Sequence, residues 1–466
     1  MTVRTNLVLT APQHAALKRH LFPGDGKEAA TVLVCSRVVA DDSIKLMVQQ
    51  YILVPYDACE REPNFLTWSG DYLEEALDRA EEDDLSIVLL HSHPGGLFEF
   101  SVADDRSDGV VMPTLFAGRP KRHHGPLWHG SAIMVGDGRI RARLYDSSNR
   151  VSEIDVVAVY GDDLYYFWNP DRFRLFCKPR PMAFSEAMRA ELSQLSACVV
   201  GVSGTGSIVA EQLARLGFGN IILVDFDRIE LKNLNRILNS SLADAEAKRL
   251  KVEVIAKAIQ RFRSDARVIQ VPTGIERAEA IRTAAGADVL FSCVDSDEGR
   301  QICDLMSSAF LQPLFDVGVT IPVHTTETGP SILDVAGRVD YVWPGGSTLA
   351  DRQVFTPASL AAEYLARADA ASHKARVKEG YMPGSLEEAP SVIALNMRAA
   401  SACVMEFIAR AYPFRHDPND QRARTVFSLA ACEEEYESED TFVRATNHGL
   451  ARGIKRPLLG LPMLED

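Results

Sequence analysis

Residues 198–217, CVVGVSGTGSIVAEQLARLG, run an apolar stretch straight into a turn holding Gly201, Gly204 and Gly206, and then into the start of a helix. A strand, glycine turn and helix in that order aim backbone N–H groups and a helix N-terminus at a phosphate. Ser203 stands where a strict G-x-G-x-x-G run has glycine. The stretches NIILVDFD, ARVIQVPT and ADVLFSCVD follow as apolar strands separated by helical segments. That alternation predicts a parallel, doubly wound sheet with helices on both faces. Asp225, at the end of the second strand, is placed to bond a ribose hydroxyl.

The chain has 466 residues, too many for one ordinary core, and two domains are expected. Ahead of the glycine turn the texture differs. AATVLVCSRVV and KLMVQQYILV read as strands, GDYLEEALDRAEEDD as an acidic amphipathic helix, and SAIMVG with RIRARLYD as a closing pair. These make a mixed α/β domain over residues 1–158. Residues 159–190, rich in aromatic, Arg and Pro, read as a linker or arm, and 191–466 as the second domain. Residues 343–390 are polar, carry PGGS and MPGS, and predict a functional excursion.

Within the first domain the short apolar strand SIVLL runs into His91. His91 and His93 are two apart, so their rings project from one face of the strand. Asp104 completes two imidazoles and a carboxylate, the mixed set of a catalytic zinc that keeps a fourth position open for water. Asp105 and Asp108 are rival ligands and read as solvated loop charges. His123, His124 and His129 read as a basic surface loop.

Two resemblances rest on these residues. H-x-H, a Ser eight residues on and an Asp three further resembles the JAMM signature of the MPN/JAB metalloproteases, whose fold is cytidine-deaminase-like. The resemblance implies Glu28, from an early strand, as proton carrier and Ser101 as donor to the oxyanion at the scissile carbonyl. DFDRIELKNLNR is similar to the D-x-D-x-V/I-E-x-x-N-L-N-R run of the ThiF/MoeB and ubiquitin-activating superfamily, with LKVEVIAKAI and CVDSDEGR extending the match. It implies a Rossmann-like adenylation domain in which Asp225 holds the ribose beside Asp227, and Asn233 and Arg236 hold phosphates. Lys251 would face the α and β phosphates, with Lys248 as its alternative. Asp295 would hold magnesium, with Asp297 as a second ligand or a helix cap. Arg172 or Arg174 would be the arginine that family dimers lend to the neighbouring site.

One departure stands out. Relatives carry P-G-G-x-C-L-x-C on the crossover loop, whereas this chain has Pro344 to Asp351 without cysteine and none between Cys303 and Cys403. Direct transfer from the acyl adenylate is favoured over an oxyester on Ser347 or Thr348, for which Asp351 is the local base. The eight cysteines include no C-x-x-C pair, which argues against a disulfide framework or a four-cysteine zinc clamp.

The combined resemblance, of the bacterial ubiquitin-like conjugation type, implies ATP-dependent activation of a β-grasp ubiquitin-like protein's C-terminal glycine, joined to zinc-dependent isopeptidase cleavage. A sulfur-carrier adenylyltransferase making a thiocarboxylate, or a protease with a ThiF-like binding platform, are the alternatives. A homodimer and a conjugating-enzyme-like partner are expected. Nucleic acid is not, because a net charge of −14 repels a polyanion. Nor is a membrane, since no apolar stretch approaches ~20 residues, and the N-terminus lacks a signal-peptide layout, which gives a cytoplasmic expectation.

Overall fold

In the first unit, β-branched runs pair into a nine-stranded sheet. Its strands and helices are β1 (Arg4–Thr10), α1 (Ala11–Leu21), β2 (Ala30–Val39), β3 (Ser43–Leu53), the separate hairpin β4 (Cys59–Glu62) and β5 (Phe65–Trp68), α2 (Asp71–Glu81), β6 (Ser86–His93), α3 (Val102–Ala117), β7 (Trp128–Val135), β8 (Ile140–Asp146), β9 (Val151–Glu153), β10 (Val156–Tyr160) and β11 (Leu164–Trp168). The sheet order is β11-β10-β1-β3-β2-β6-β7-β8-β9. This computed structural model describes residues 3–464 apart from 41, 82, 118–125, 174–179, 327–328, 374–390, 446 and 448. They form two compact units, Met1–Pro181 with Ala309–Leu311 and Gly449–Pro462, and Met182–Ser308 with Gln312–His448 and Met463–Asp466.

The sheet of the first unit is buried on both faces, which is why β2 and β6 read as continuous apolar runs. Leu33, Cys35, Leu46 and Leu90 pack with Leu17 and Leu21 of α1 on one face. Val32, Val34 and Ile87 pack with Ala76 of α2 and with Met112 and Leu115 of α3 on the other. Each such fully buried Val or Leu contributes roughly 1.5–3 kcal/mol, so α3 is fixed against the strand that carries His91 and His93.

Two expectations need correction here. Leu164–Trp168 is not linker: it pairs antiparallel with β10 as the edge strand of the sheet. LYYFW is bulky at every position, so no period of two marks it. Asp105 and Asp108 lie on α3 rather than in a loop. Asp108 is buried and accepts hydrogen bonds from Arg143 Nε (2.9 Å) and Tyr145 Oη (2.9 Å).

The second unit comprises α4 (Glu186–Leu192), β12 (Ser196–Val200), α5 (Gly204–Leu216), β13 (Asn220–Val224), α6 (Leu242–Glu246), α7 (Lys251–Gln260), β14 (Arg267–Val271), α8 (Ala278–Ala285), β15 (Val289–Ser292), α9 (Asp297–Ala309), β16 (Leu314–Thr320), the hairpin β17 (Val323–Thr326) and β18 (Gly329–Ile332), β19 (Ala336–Val342), α10 (Pro357–Ala368), α11 (Ile393–Ala411), β20 (Arg424–Ser428) and β21 (Glu433–Glu437). Its sheet order is β14-β13-β12-β15-β16-β19-β20-β21. The first five strands are parallel, as expected of a Rossmann-like fold. The last three extend the sheet antiparallel, which the sequence reading did not foresee.

The glycine turn is sterically obligatory. Gly201 has φ +82°, and a β carbon there would lie 2.8 Å from the Cys293 carbonyl oxygen. A β carbon on Gly206 would lie 1.8 Å from the Gly201 carbonyl oxygen. Only glycine lets helix and strand approach this closely. The 343–390 interval is less irregular than expected: Trp343, Leu349 and Phe355 are buried, and Thr356 caps the helix α10 in a capping box. Residues 374–390 of that interval lie outside the described residues. Among the described residues no helix is long and apolar enough to cross a membrane.

Candidate metal centre and nucleotide cleft

The metal centre is built where β2 and β6 run antiparallel. Ser92 donates its N–H to the Ala29 carbonyl (3.0 Å) while its Oγ accepts from the Ala29 N–H (2.9 Å). This clamp holds Glu28 beside the end of β6. The His91 and His93 Nε2 atoms converge to 3.1 Å, and Asp104 Oδ1 stands 3.1 Å from His91 Nε2. Among the described residues, these three side chains are the only group of His, Cys, Asp or Glu clustered closely enough to share a metal ion.

The donor set fits zinc. His93 Nδ1 lies 2.8 Å from the Leu97 carbonyl oxygen; donating there leaves Nε2 as the ligand atom, the outer-shell arrangement usual for metal-binding imidazoles. Ser101 N–H donates to Asp104 Oδ2 (2.6 Å), and Asp104 N–H donates to Ser101 Oγ (3.2 Å). The serine thus caps α3 and aims the other carboxylate oxygen at His91.

Electrostatics follow from this packing. Burial raises the Glu28 carboxyl above its ordinary value, with the His91 and His93 rings opposing. Burial disfavours a charged His93 ring, but its contacts with Asp104 and the Leu97 carbonyl outweigh burial and raise it. Burial likewise resists ionisation of Asp104, yet the two imidazoles hold it well below the carboxylate range.

The second site is an open cleft of about 880 Å³ over the C-terminal ends of the parallel strands, within the roughly 300–1,000 Å³ of small-molecule sites. The glycine turn and the N-terminus of α5 form one wall, and Asp225, Asp227, Arg236, Lys251 and Asp295 all line it. Asp225 is 8% exposed. Its carboxylate accepts from Val202 N–H (2.7 Å) and Asp227 N–H (2.8 Å). Burial raises this carboxyl, while the Lys251 ammonium pulls it down. Lys251 Nζ donates to Asp227 Oδ2 at 2.7 Å. Asp295 is solvent-exposed at the rim, a hard oxygen donor suited to Mg2+, which keeps most of its own waters.

Two family models match the chain in succession: prokaryotic homologues of the JAB domain over residues 10–145, and the ThiF family over residues 179–378. The chain joins a JAB-homologue domain to a ThiF domain. Its similar relatives include ubiquitin-like modifier-activating enzyme 5 of Culex quinquefasciatus, 30% identical over 33% of this chain and 38% of that protein. The Aedes aegypti enzyme of the same name is 28% identical over 47% of this chain and 52% of its own length. The chain therefore spans about half or less of these curated relatives. Among solved structures, E. coli MccB with ATP aligns at 18% identity and a TM-score of 0.42, covering 54% of this chain and 66% of that one.

Several expected residues of the ThiF domain stand elsewhere. Asn233 does not line the cleft: it is buried, and its Oδ1 accepts the Glu230 N–H at 3.0 Å in a local capping box. Gly206 acts through packing. Lys248 is outside the cleft lining, its carbonyl accepting from Arg228 (2.8 Å). Ser347 is 0% exposed. Its Oγ donates to Glu439 Oε2 (3.0 Å) and accepts from Arg352 Nε (2.9 Å). The hydroxyl is thus enclosed by an ion network and presents no surface for an oxyester. Thr348 Oγ1 accepts the Asp351 N–H (3.0 Å) and Asp351 Oδ2 the Thr348 N–H (2.9 Å), so both cap a turn instead of forming a nucleophile and base. The same segment hangs from buried Asp304, which accepts from Leu349 N–H (2.9 Å) and Ala350 N–H (3.2 Å) and whose carboxyl burial pushes up to about 7.

In the first unit, Arg172 pairs with the buried Asp155, which ties down one candidate for a donated arginine. Arg174 lies outside the described residues, as do His123 and His124. His129 is not in a surface loop: it is 2% exposed on β7, and its Nδ1 accepts the Ile87 N–H at 3.1 Å. Sequence reasoning missed Asn396, Arg300 and Arg367, all of which line the cleft. Arg300 closes the CVDSDEGR run, which assigns it no role, and no local motif marks Asn396 or Arg367, which sit on helices whose other residues supply the periodic signal.

Proposed function

We propose that the ThiF domain activates the C-terminal glycine of a ubiquitin-like β-grasp protein with ATP, and that the JAB domain cleaves the same modifier from precursors or conjugates. The observation that carries the first part is the convergence of Asp225, Asp227, Arg236, Lys251 and Asp295 on one cleft beside the glycine turn. A glycine carboxylate oxygen bonds to the α-phosphorus, pyrophosphate leaves, and an acyl adenylate forms. That step brings anions together, and Arg236, Lys251 and the N-terminus of α5 offset their charge. Bound magnesium would add to this neutralisation, held by Asp295. Asp225 fixes the ribose.

With no cysteine between Cys303 and Cys403 and Ser347 enclosed, an acceptor nucleophile on another protein, such as a conjugating-enzyme-like partner, attacks the acyl carbonyl directly and AMP departs. In the JAB domain His91, His93 and Asp104 would hold zinc, which supplies polarisation of the scissile carbonyl and a more acidic water. Glu28, whose carboxyl burial raises above its ordinary value, takes the proton from the water and passes it to the leaving amine. Ser101 Oγ, beside Asp104, donates to the developing oxyanion. We place the protein in the cytoplasm as a homodimer. Light scattering of the purified chain tests the dimer, and a mass of one protomer at micromolar concentration rejects it.

The activating reading is tested by adenylate formation with modifiers ending in glycine, and the protease reading by cleavage of a modifier fusion. Activity unchanged by Asp295→Ala in the first assay, or by Glu28→Ala in the second, rejects the corresponding assignment.

A further inference from the structure

Asn396, in the first turn of α11, is 2% exposed, and its Oδ1 is buried without a hydrogen-bond partner among the described residues. It also lines the nucleotide cleft. Its amide lies directly on the glycine turn, where a β carbon on Gly204 would stand 2.0 Å from Asn396 Nδ2 and 3.3 Å from Arg236 Cδ. Gly204 opens the thirteen-residue helix α5, and its N-cap Ser203 makes no side-chain cap bond. The N-cap side chain thus takes up none of the first N–H groups of α5, and they carry the positive end of the helix dipole.

Three kinds of donor thus share one corner: the start of α5, the Arg236 side chain and the Asn396 amide. Arg236 spends Nη1 on the Lys232 carbonyl (3.1 Å) and Asn235 Oδ1 (3.2 Å) and pairs with no carboxylate among the described contacts. Buried amide oxygens are nearly always paired, so the Oδ1 orphan calls for a donor, which a phosphate cannot be and a turned Arg236 guanidinium can. Phosphate oxygens only accept, so the amide nitrogen is the atom that meets them. The oxygen is then left to a neighbouring donor, and Arg236 packs on the same α carbon.

Resting on the reading of this cleft as a nucleotide site, we infer that Asn396 recognises the phosphate chain of a bound nucleoside triphosphate, donating from Nδ2 to a phosphate oxygen and accepting from Arg236 through Oδ1. The residue distinguishes a triphosphate from a bare nucleoside, its Nδ2 meeting a phosphate oxygen only in the loaded state.

The test is calorimetric titration of the full chain with a non-hydrolysable ATP analogue plus Mg2+, and separately with adenosine, alongside thermal melts without ligand. Asn396→Ala is expected to lose roughly ten-fold in analogue affinity, the weight of one hydrogen bond to a charged group, and to bind adenosine within two-fold of wild type. Asn396→Asp, of the same shape but anionic, is expected to lose still more for the analogue and again little for adenosine. Without ligand, Asn396→Ala melts no lower than wild type, since it removes an unpaired group. Combining it with Arg236→Ala gives less than the sum of the two losses. Analogue affinity retained in both Asn396 variants, equal losses for adenosine, or a marked fall in the unliganded melting temperature overturns the inference. A wild-type chain that binds neither ligand overturns the nucleotide reading itself, and this one with it.

Discussion

Replacing Lys251 by Met keeps the length of the side chain and removes its charge. Lys251 is 5% exposed and donates to Asp227 at 2.7 Å, but the Asp227 side chain is 51% exposed. Water can therefore take over the aspartate, and the pair contributes on the order of 1 kcal/mol or less to folding. The effect on chemistry is larger. An ammonium aimed at phosphates in a partly closed cleft acts where charge develops, and losing one such group typically costs about 2.7–4 kcal/mol. That corresponds to a loss of roughly 10²–10³-fold in adenylation rate. The assay is single-turnover formation of the acyl adenylate at saturating ATP, paired with urea unfolding of the same variant. A rate within three-fold of wild type would refute the reasoning, as would a loss explained by unfolding.

Three further outcomes follow from the geometry. Glu28→Gln is expected to keep bound zinc near one per chain while fusion cleavage falls by about 10²–10⁴-fold, whereas His93→Ala loses the metal itself; elemental analysis beside the cleavage assay separates them. Ser347→Ala with Thr348→Ala removes hydrogen bonds to Glu439 and Arg352, lowering stability by about 2–4 kcal/mol while leaving modifier transfer per folded molecule unchanged; a transfer defect in folded protein would revive the oxyester. Asp304 sets a pH dependence. Its carboxyl, pushed up to about 7 by burial, compares with about 3.9 unfolded, so the folded state holds its proton more tightly. The stability this gives is complete below about pH 4 and lost as pH rises through about 7, by up to about 4 kcal/mol at 1.36 kcal/mol per pH unit. Urea midpoints between pH 5 and 8 should vary less in Asp304→Asn than in wild type, and equal slopes would contradict the assignment.

The sequence was most legible where one residue type at one spacing has a single use. Gly201 and Gly204 of the turn, the two histidines at the end of β6, and Asp225 at the end of β13 declare themselves by position; the two glycines and Asp225 line the cleft, and the histidines lie together with Asp104. Legibility failed where partners are distant in sequence. Glu439 reaches Ser347 across 92 positions, so nothing near Ser347 signals that its hydroxyl is enclosed. Asn233 sits inside a motif whose polar residues divide between ligand and scaffold, and only the fold shows that it caps a turn. Leu164–Trp168 hid its strand character because an edge strand that is bulky at every position has no alternation. Asn396 carries no signal at all, for its importance arises from packing on Gly204, 192 residues earlier in a chain folded back on itself.

ATP–pyrophosphate exchange tests the central claim most directly. Purified chain is incubated with magnesium, labelled pyrophosphate and ubiquitin-like proteins ending in glycine, with Asp295→Ala as control. The account predicts exchange that requires both the modifier and Asp295, without any thioester on the protein. Absence of exchange with every modifier, while fusion cleavage persists and is lost in Glu28→Ala, would contradict it and leave the ThiF domain a binding platform for a protease.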